Sequence, residues 1–168
     1  MKTLIIVRHA KSDHPEYGEI PDRNRTLNPR GIKDAPFMGE LLASRNIKPD
    51  KIYSSPAARA LQTAKYFAEK LEYPVENIQI EEYIYSGGPE KMIKLIKGTN
   101  NDLNLVAVFG HNPDVTILTN VISGYTVQTF STCGVVVIDF STDKWENISN
   151  KNAKLRFYEY PKKNKIHD

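Results

Sequence analysis

Short apolar runs rich in β-branched residues, each cut off by a polar or charged residue, recur along the 168-residue chain. Thr3–Val7, Leu105–Phe109 and Val135–Ile138 show no polar alternation, and they are too short for helices. Each therefore reads as a strand buried on both faces. Ile52-Tyr53 is a shorter version, and Ile78–Ile80 reads as an edge strand. Leu155–Tyr160 alternates Leu155, Phe157 and Glu159 with Arg156, Tyr158 and Tyr160, which suggests an edge strand with one wetter face. Between the runs lie segments that begin with a capping residue followed by proline, whose missing N–H costs nothing at a helix start. Asn28-Pro29 opens a helix to about residue 46, and Ser55-Pro56 one to about Leu71. Gly88-Pro89 opens one to about Lys97, and Asn112-Pro113 one to about Ser123. Ala60, Leu61, Ala64, Phe67, Ala68 and Leu71 form one apolar stripe in the second, as do Ile117, Leu118, Val121 and Ile122 in the fourth. Pro36 lies inside the first helix and is expected to kink or split it.

Strands alternating with helices give an α/β fold whose mainly parallel sheet is covered on both faces. A chain of this length hides roughly 70% of its surface, enough for a core without staples. One domain is expected over residues 1–161, followed by a polar tail over 162–168 that carries Lys162, Lys163 and Lys165. The single cysteine, Cys133, cannot form an internal disulfide and reads as a small buried residue in a cytoplasmic protein. The run Thr3–Val7 is too short for a signal-peptide core, and no run has the length of a membrane span. Without a secretory signal, the sequons at Asn24-Arg25-Thr26 and Asn147-Ile148-Ser149 read as chance. A net charge of +3 tolerates an anionic ligand but lacks the dense basic stripe of a nucleic-acid binder.

In parallel sheets, ligands bind outside the carboxyl ends of the strands. That rule selects Arg8-His9, Ser54-Ser55-Pro56 with Arg59, and Gly110-His111-Asn112, and so brings two arginines and two histidines to one edge. Guanidinium forks match phosphate oxygens and stay charged at any working pH, and helix N-termini near Pro56 and Pro113 add backbone donors. An imidazole, with a reference pKa of about 6.5, has a free lone pair at neutral pH and can attack phosphorus. Other phosphatase machineries are missing. Cys133 has Asp139 where a Cys-x5-Arg loop needs arginine. The chain contains no Asp-x-Asp pair, nucleotide-binding glycine loop or His-Glu-x-x-His zinc motif.

Ile5–Ser12 resembles the Arg-His-Gly/Ala opening of the histidine phosphatase (phosphoglycerate-mutase-like) superfamily, and Leu27-Asn28-Pro29-Arg30-Gly31 resembles its Leu-Thr-x-x-Gly element. Tyr53–Ala64 is similar to its Ser-Ser-Pro-x-x-Arg-Ala-x-Gln-Thr-Ala block, and Gly110-His111-Asn112-Pro113 to its Gly-His-Asn-Pro. The alanine after the first histidine and the short chain resemble the SixA-type phosphohistidine phosphatases. The resemblance implies a three-layer α/β/α sandwich whose central, mostly parallel sheet has one antiparallel strand. It implies that His9 is the nucleophile, that Arg8 and Arg59 bind the phosphoryl oxygens, that His111 donates to the same group, and that Ser12 adds a contact.

Larger members of that superfamily also use a glutamate as general acid. Glu81 and Glu82 are the candidates here, against a reading as a solvated pair at a strand end. A phosphohistidine releases imidazole and manages without such an acid, whereas a phosphate ester needs one. The expected activity is metal- and cofactor-independent hydrolysis through a covalent phosphohistidine. The expected substrate is a histidine-phosphorylated protein, a phosphotransfer domain among the candidates. A small phosphate ester is the alternative, and a non-catalytic phosphate-binding module a further one. Neither nucleic acid nor membrane is an expected partner. His14 and His167 read as surface residues, and Tyr83, Tyr85, Tyr158 and Tyr160 as sheet-edge caps in preference to a pocket wall. Asp114 suits the first turn of a helix.

Overall fold

The computed structural model describes residues 1–14 and 20–164; Pro15, Lys165 and His167 lie outside the described residues. Six strands, β1 (Lys2–Arg8), β2 (Lys51–Ser54), β3 (Gln79–Ile80), β4 (Leu105–Gly110), β5 (Val135–Phe140) and β6 (Ala153–Glu159), form one sheet. Its order is β3-β2-β4-β1-β5-β6. All neighbouring pairs are parallel except those of β5, which runs against both β1 and β6. One reversed strand in a mostly parallel sheet, with β3 and β6 at the edges, matches the expectation from sequence.

The β1 side chains alternate between two cores. Leu4 and Ile6 join Met92, Ile96, Val115, Leu118 and Trp145 on one face. Ile5 and Val7 join Ala35, Met38, Leu42, Ala64 and Phe67 on the other. The first face is covered by α4 (Gly88–Lys97) and α5 (Asp114–Ser123), the second by α1 (Pro29–Ser44) and α2 (Ala58–Lys70). The result is three layers with apolar side chains between each pair, which is why the inner strands carry no polar alternation.

The helix starts follow the proline rule only in part. In α1, Pro29 is the first helical residue and Asn28 accepts from the Gly31 N–H at 2.9 Å, as expected. In α2, Pro56 precedes the helix by two residues; Ala57 is the capping residue, and the Ser55 hydroxyl accepts the Ala57 N–H at 3.1 Å instead. In α5, Pro113 is itself the capping residue. A one-turn helix, α3 (Tyr83–Ser86), leads into α4.

Pro36 does not split α1, which runs unbroken through it. The carbonyl deprived of a donor belongs to Ile32, a residue 44% exposed, so water can replace the missing N–H. The residues at the expected junction of domain and tail are helical. Residues Pro161–Asn164 form a helical turn, α6, anchored by Asn164 Nδ2 donating to Glu159 Oε2 at 2.6 Å.

Gly31 marks the tightest junction near the site. A Cβ there would lie 2.2 Å from the backbone oxygen of Lys11, which also accepts from the Asn28 N–H at 3.0 Å. The first turn of α1 is thereby pressed against the segment that leaves β1.

Candidate active site

The register of the sheet assembles the site. β1 and β4 are parallel with Arg8 opposite Gly110, so the residues that follow, His9 and His111, leave neighbouring strand ends together. Their ring centroids are 5.2 Å apart. β2 lies on the other side of β4 with Ser54 opposite Phe109. This places Ser55 beside His111, at 2.8 Å from its Oγ to Nε2.

His9 is buried, and its Nδ1 lies 2.7 Å from the Ala10 carbonyl. A carbonyl oxygen can only accept, so Nδ1 carries the hydrogen and Nε2 keeps the lone pair. Burial pushes the His9 pKa down to about 3, helped by His111, Arg59 and Arg8, while the Ala10 hydrogen bond opposes the shift. Burial likewise brings His111 to about 4, with Arg59 adding to the effect. Both rings are neutral at pH 7.

Arg59, on the first turn of α2, is buried. It donates from Nη1 to the Asp22 carbonyl at 2.8 Å and from Nη2 to the Asp22 carboxylate at 3.1 Å. Arg8 donates from Nη1 to the Phe130 carbonyl at 2.7 Å. Three buried nitrogens at this edge have no acceptor among the described residues: Arg8 Nε, Arg59 Nε and His111 Nδ1. An unmet buried donor costs about 1–3 kcal/mol, and such groups mark strain or function. A tetrahedral oxyanion is the ligand class that satisfies several convergent cationic donors at once.

The wall of the site contains groups the sequence did not single out. Asp22, in a 3₁₀ turn at Asp22–Asn24, accepts from Arg59, from Arg25 Nε at 3.0 Å and from the Tyr85 hydroxyl at 2.6 Å. The Tyr85 bond leads the effects that hold this carboxyl well below the usual range. The Tyr85 ring meets the His111 ring edge-on at 5.6 Å, so Tyr85 belongs to the pocket wall and not to a sheet-edge cap. Tyr83 is exposed, while Tyr158 packs between Phe130 and Tyr160. Nothing in the sequence connects Asp22 to Arg59; the local signal it carries is the i,i+3 spacing to Arg25, with which it is ion-paired. Thr63, inside the Gln-Thr-Ala stretch, ties the loop to α2 by accepting the Ala10 N–H at 3.0 Å.

Ser12 directs its hydroxyl oxygen toward Arg25 Nη1 at 3.2 Å and bridges to Leu27 through the backbone. Glu82 is ion-paired with Arg23, whose guanidinium lies 4.9 Å from the centre of the Tyr85 ring, and the Arg23 hydrogen bond holds the Glu82 carboxyl below its usual range. The Glu81 side chain accepts from Gln79, and its backbone N–H extends β2 by donating to Ser54. Among the described residues, neither carboxylate is hydrogen-bonded to His9, His111, Arg8 or Arg59. Asp114 opens α5, where burial raises its pKa, and His14 is exposed. Among the described residues no group of three or more His, Cys, Asp or Glu side chains is placed to hold a metal ion.

A family profile, the histidine phosphatase superfamily (branch 1), matches residues 4–82, a span that includes Arg8, His9 and Arg59. The fold agrees with it. The protein histidine phosphatase SixA, solved with tungstate, superposes with a TM-score of 0.82 at 20% identity, covering 97% of this chain and 99% of that one. The chain is similar to the histidine phosphatase superfamily in sequence over residues 4–82 and in fold over nearly its whole length. With that likeness in sequence and fold it is a hydrolase of the phosphatase class. A candidate SixA phosphohistidine phosphatase of Agrobacterium tumefaciens is 25% identical with a TM-score of 0.79, over 95% of this chain and 98% of its own. An uncharacterised Mycobacterium leprae protein is 26% identical over 93% of this chain and 100% of its own length. No helix among the described residues is long and apolar enough to cross a membrane.

Proposed function

We propose that this protein hydrolyses the phosphoryl group of phosphohistidine in a protein, through a covalent phosphohistidine on its own His9. The observation that carries this reading is the convergence of the unmatched nitrogens of Arg8, Arg59 and His111 beside a neutral His9 whose Nε2 keeps its lone pair.

Nε2 of His9 attacks phosphorus as the bond to the leaving group breaks. Arg8 and Arg59 compensate the charge on the equatorial oxygens, and His111 donates to one of them. Water then attacks the phosphorus of the phosphoenzyme, the His9–phosphorus bond breaks, and the proton of the water leaves on orthophosphate. The SixA relatives support phosphohistidine as the substrate class. The ionised state of Glu82, paired with Arg23, supports it as well: a carboxylate held below its usual pKa is poorly suited to protonate an alkoxide. A phosphohistidine takes up a proton on its second ring nitrogen near neutral pH, so its imidazole leaves neutral without that help.

Rapid quenching at neutral or alkaline pH followed by mass spectrometry tests the scheme. The expected result is a phosphoryl adduct on His9 that forms at a rate matching turnover. Product accumulating without any adduct on His9 overturns the mechanism. Turnover of small phosphate esters together with inactivity toward phosphohistidine overturns the substrate class. Excess chelator leaves the rate unchanged.

A further inference from the structure

A cavity of about 290 Å³ opens beside Arg8. It is lined by Arg8, Lys11, Arg30 and Lys162 with the hydroxyl residues Ser131 and Thr132, and by neither histidine. Its cations come from the end of β1, the segment after it, the first turn of α1, and α6. The close junction at Gly31 is what holds Lys11 against α1.

Among the described residues, no carboxylate lines this cavity. Arg30 is partly opposed by the buried Asp34 at 3.4 Å, whereas Lys11 and Lys162, both exposed, have no ion pair among the described residues. Gathering like charges around one concavity costs free energy that an anionic ligand recovers. Arg8 belongs both to this cavity and to the phosphoryl site, and it directly precedes His9. A substrate seated on His9 therefore has a second anion-binding surface within reach.

We propose that this cavity binds carboxylate side chains that flank the phosphohistidine of the protein substrate, and so selects acidic phosphoprotein surfaces. The proposal rests on the function proposed above. Lysine is a point charge on a flexible stem, and lysines spread round an open rim suit several separate carboxylates. A lone tetrahedral phosphate is better served by convergent guanidinium forks or a helix N-terminus.

The test uses phosphohistidine peptides carrying aspartates beside the phosphohistidine, matched peptides with asparagine in their place, and free phosphohistidine. With the wild-type protein, KM for the aspartate peptide is expected to be about tenfold lower than for the asparagine peptide, and the gap should close at high salt. The exposed-site double variant Lys11→Ala, Lys162→Ala should abolish the gap while leaving kcat for free phosphohistidine unchanged. Equal KM values for both peptides in the wild type, or a gap that survives the double variant, overturn the inference. Affinity conferred instead by a second phosphate on a small substrate, and lost in the double variant, overturns the choice of carboxylates. Turnover of the peptides reads the proposed function separately: failure to hydrolyse either peptide sinks that function, whereas turnover of both with equal KM values sinks only the cavity's role.

Discussion

Asp22 grips Arg59 twice, through its backbone carbonyl at 2.8 Å and its carboxylate at 3.1 Å. The contact aims the guanidinium, and it also sets a negative charge beside the proposed phosphoryl site. Removing the charge and keeping the carbonyl separates the two roles. Asp22→Asn is expected to tighten competitive inhibition by orthophosphate about fivefold, the equivalent of about 1 kcal/mol of well-screened repulsion. Weaker inhibition would mean that aiming outweighs repulsion.

Arg59 should tolerate no replacement. Arg59→Ala removes a preorganised cation from the transition state and is expected to lower kcat/KM by about 10²–10³. Arg59→Lys should recover little of it, because an ammonium cannot satisfy Asp22 and an oxyanion with the same planar fork. Steady-state kinetics on one phosphohistidine substrate checks both variants; full recovery by lysine would reduce the role of Arg59 to bulk charge.

The two buried imidazoles make stability depend on pH. In the folded protein they protonate only near pH 3 and pH 4, whereas in the unfolded chain they protonate at about 6.5. Between those limits the unfolded state binds more protons, so stability falls as pH drops from about 6.5 toward 4 and is insensitive to these groups above 7. Asp22, with its lowered carboxyl pKa, acts in the same direction at lower pH. Chemical denaturation at pH 7 and pH 5 should show the loss, and His9→Gln should show a smaller one. An equal loss in His9→Gln would remove His9 from the account.

Gly31→Ala tests the junction between α1 and the segment after β1. The new methyl would fall 2.2 Å from a backbone oxygen, so the backbone must shift. A cost of about 1–3 kcal/mol or more in unfolding free energy is expected, with reduced activity because the displaced segment follows His9 directly. Unchanged stability would show that the junction yields freely.

The central strands and the convergence of Arg8, His9, Arg59 and His111 were legible because each depends on local pattern: an apolar run, then the residue that ends it. The carboxyl-edge rule did the rest, since the parallel register of β1 with β4 turns separate motifs into neighbours. Asp22 and Tyr85 were not legible. Their roles arise from contacts across 37 and 63 positions of chain, which no periodicity records. Lys2 was missed for the same reason: it is buried because its ammonium group is taken up by loop acceptors Leu103 O and Asn104 Oδ1, at 3.2 and 2.9 Å. The starts of α2 and α5 were misplaced by one or two residues because an N-cap–Pro pair looks the same when proline lies just outside the helix.

The reversal of β5 decides which connection reaches the catalytic edge. Where every other strand delivers its exit, β5 delivers its approach, so the stretch from Gly124 to Gly134 arrives over the site and supplies the Phe130 carbonyl that orients Arg8. That stretch joins α5 to a strand without having to form a crossover helix, and its length is therefore free of the geometric quota that binds the βα connections. A chain built on the same sheet could lengthen or trim it to reshape what sits above His9 while leaving the scaffold beneath untouched.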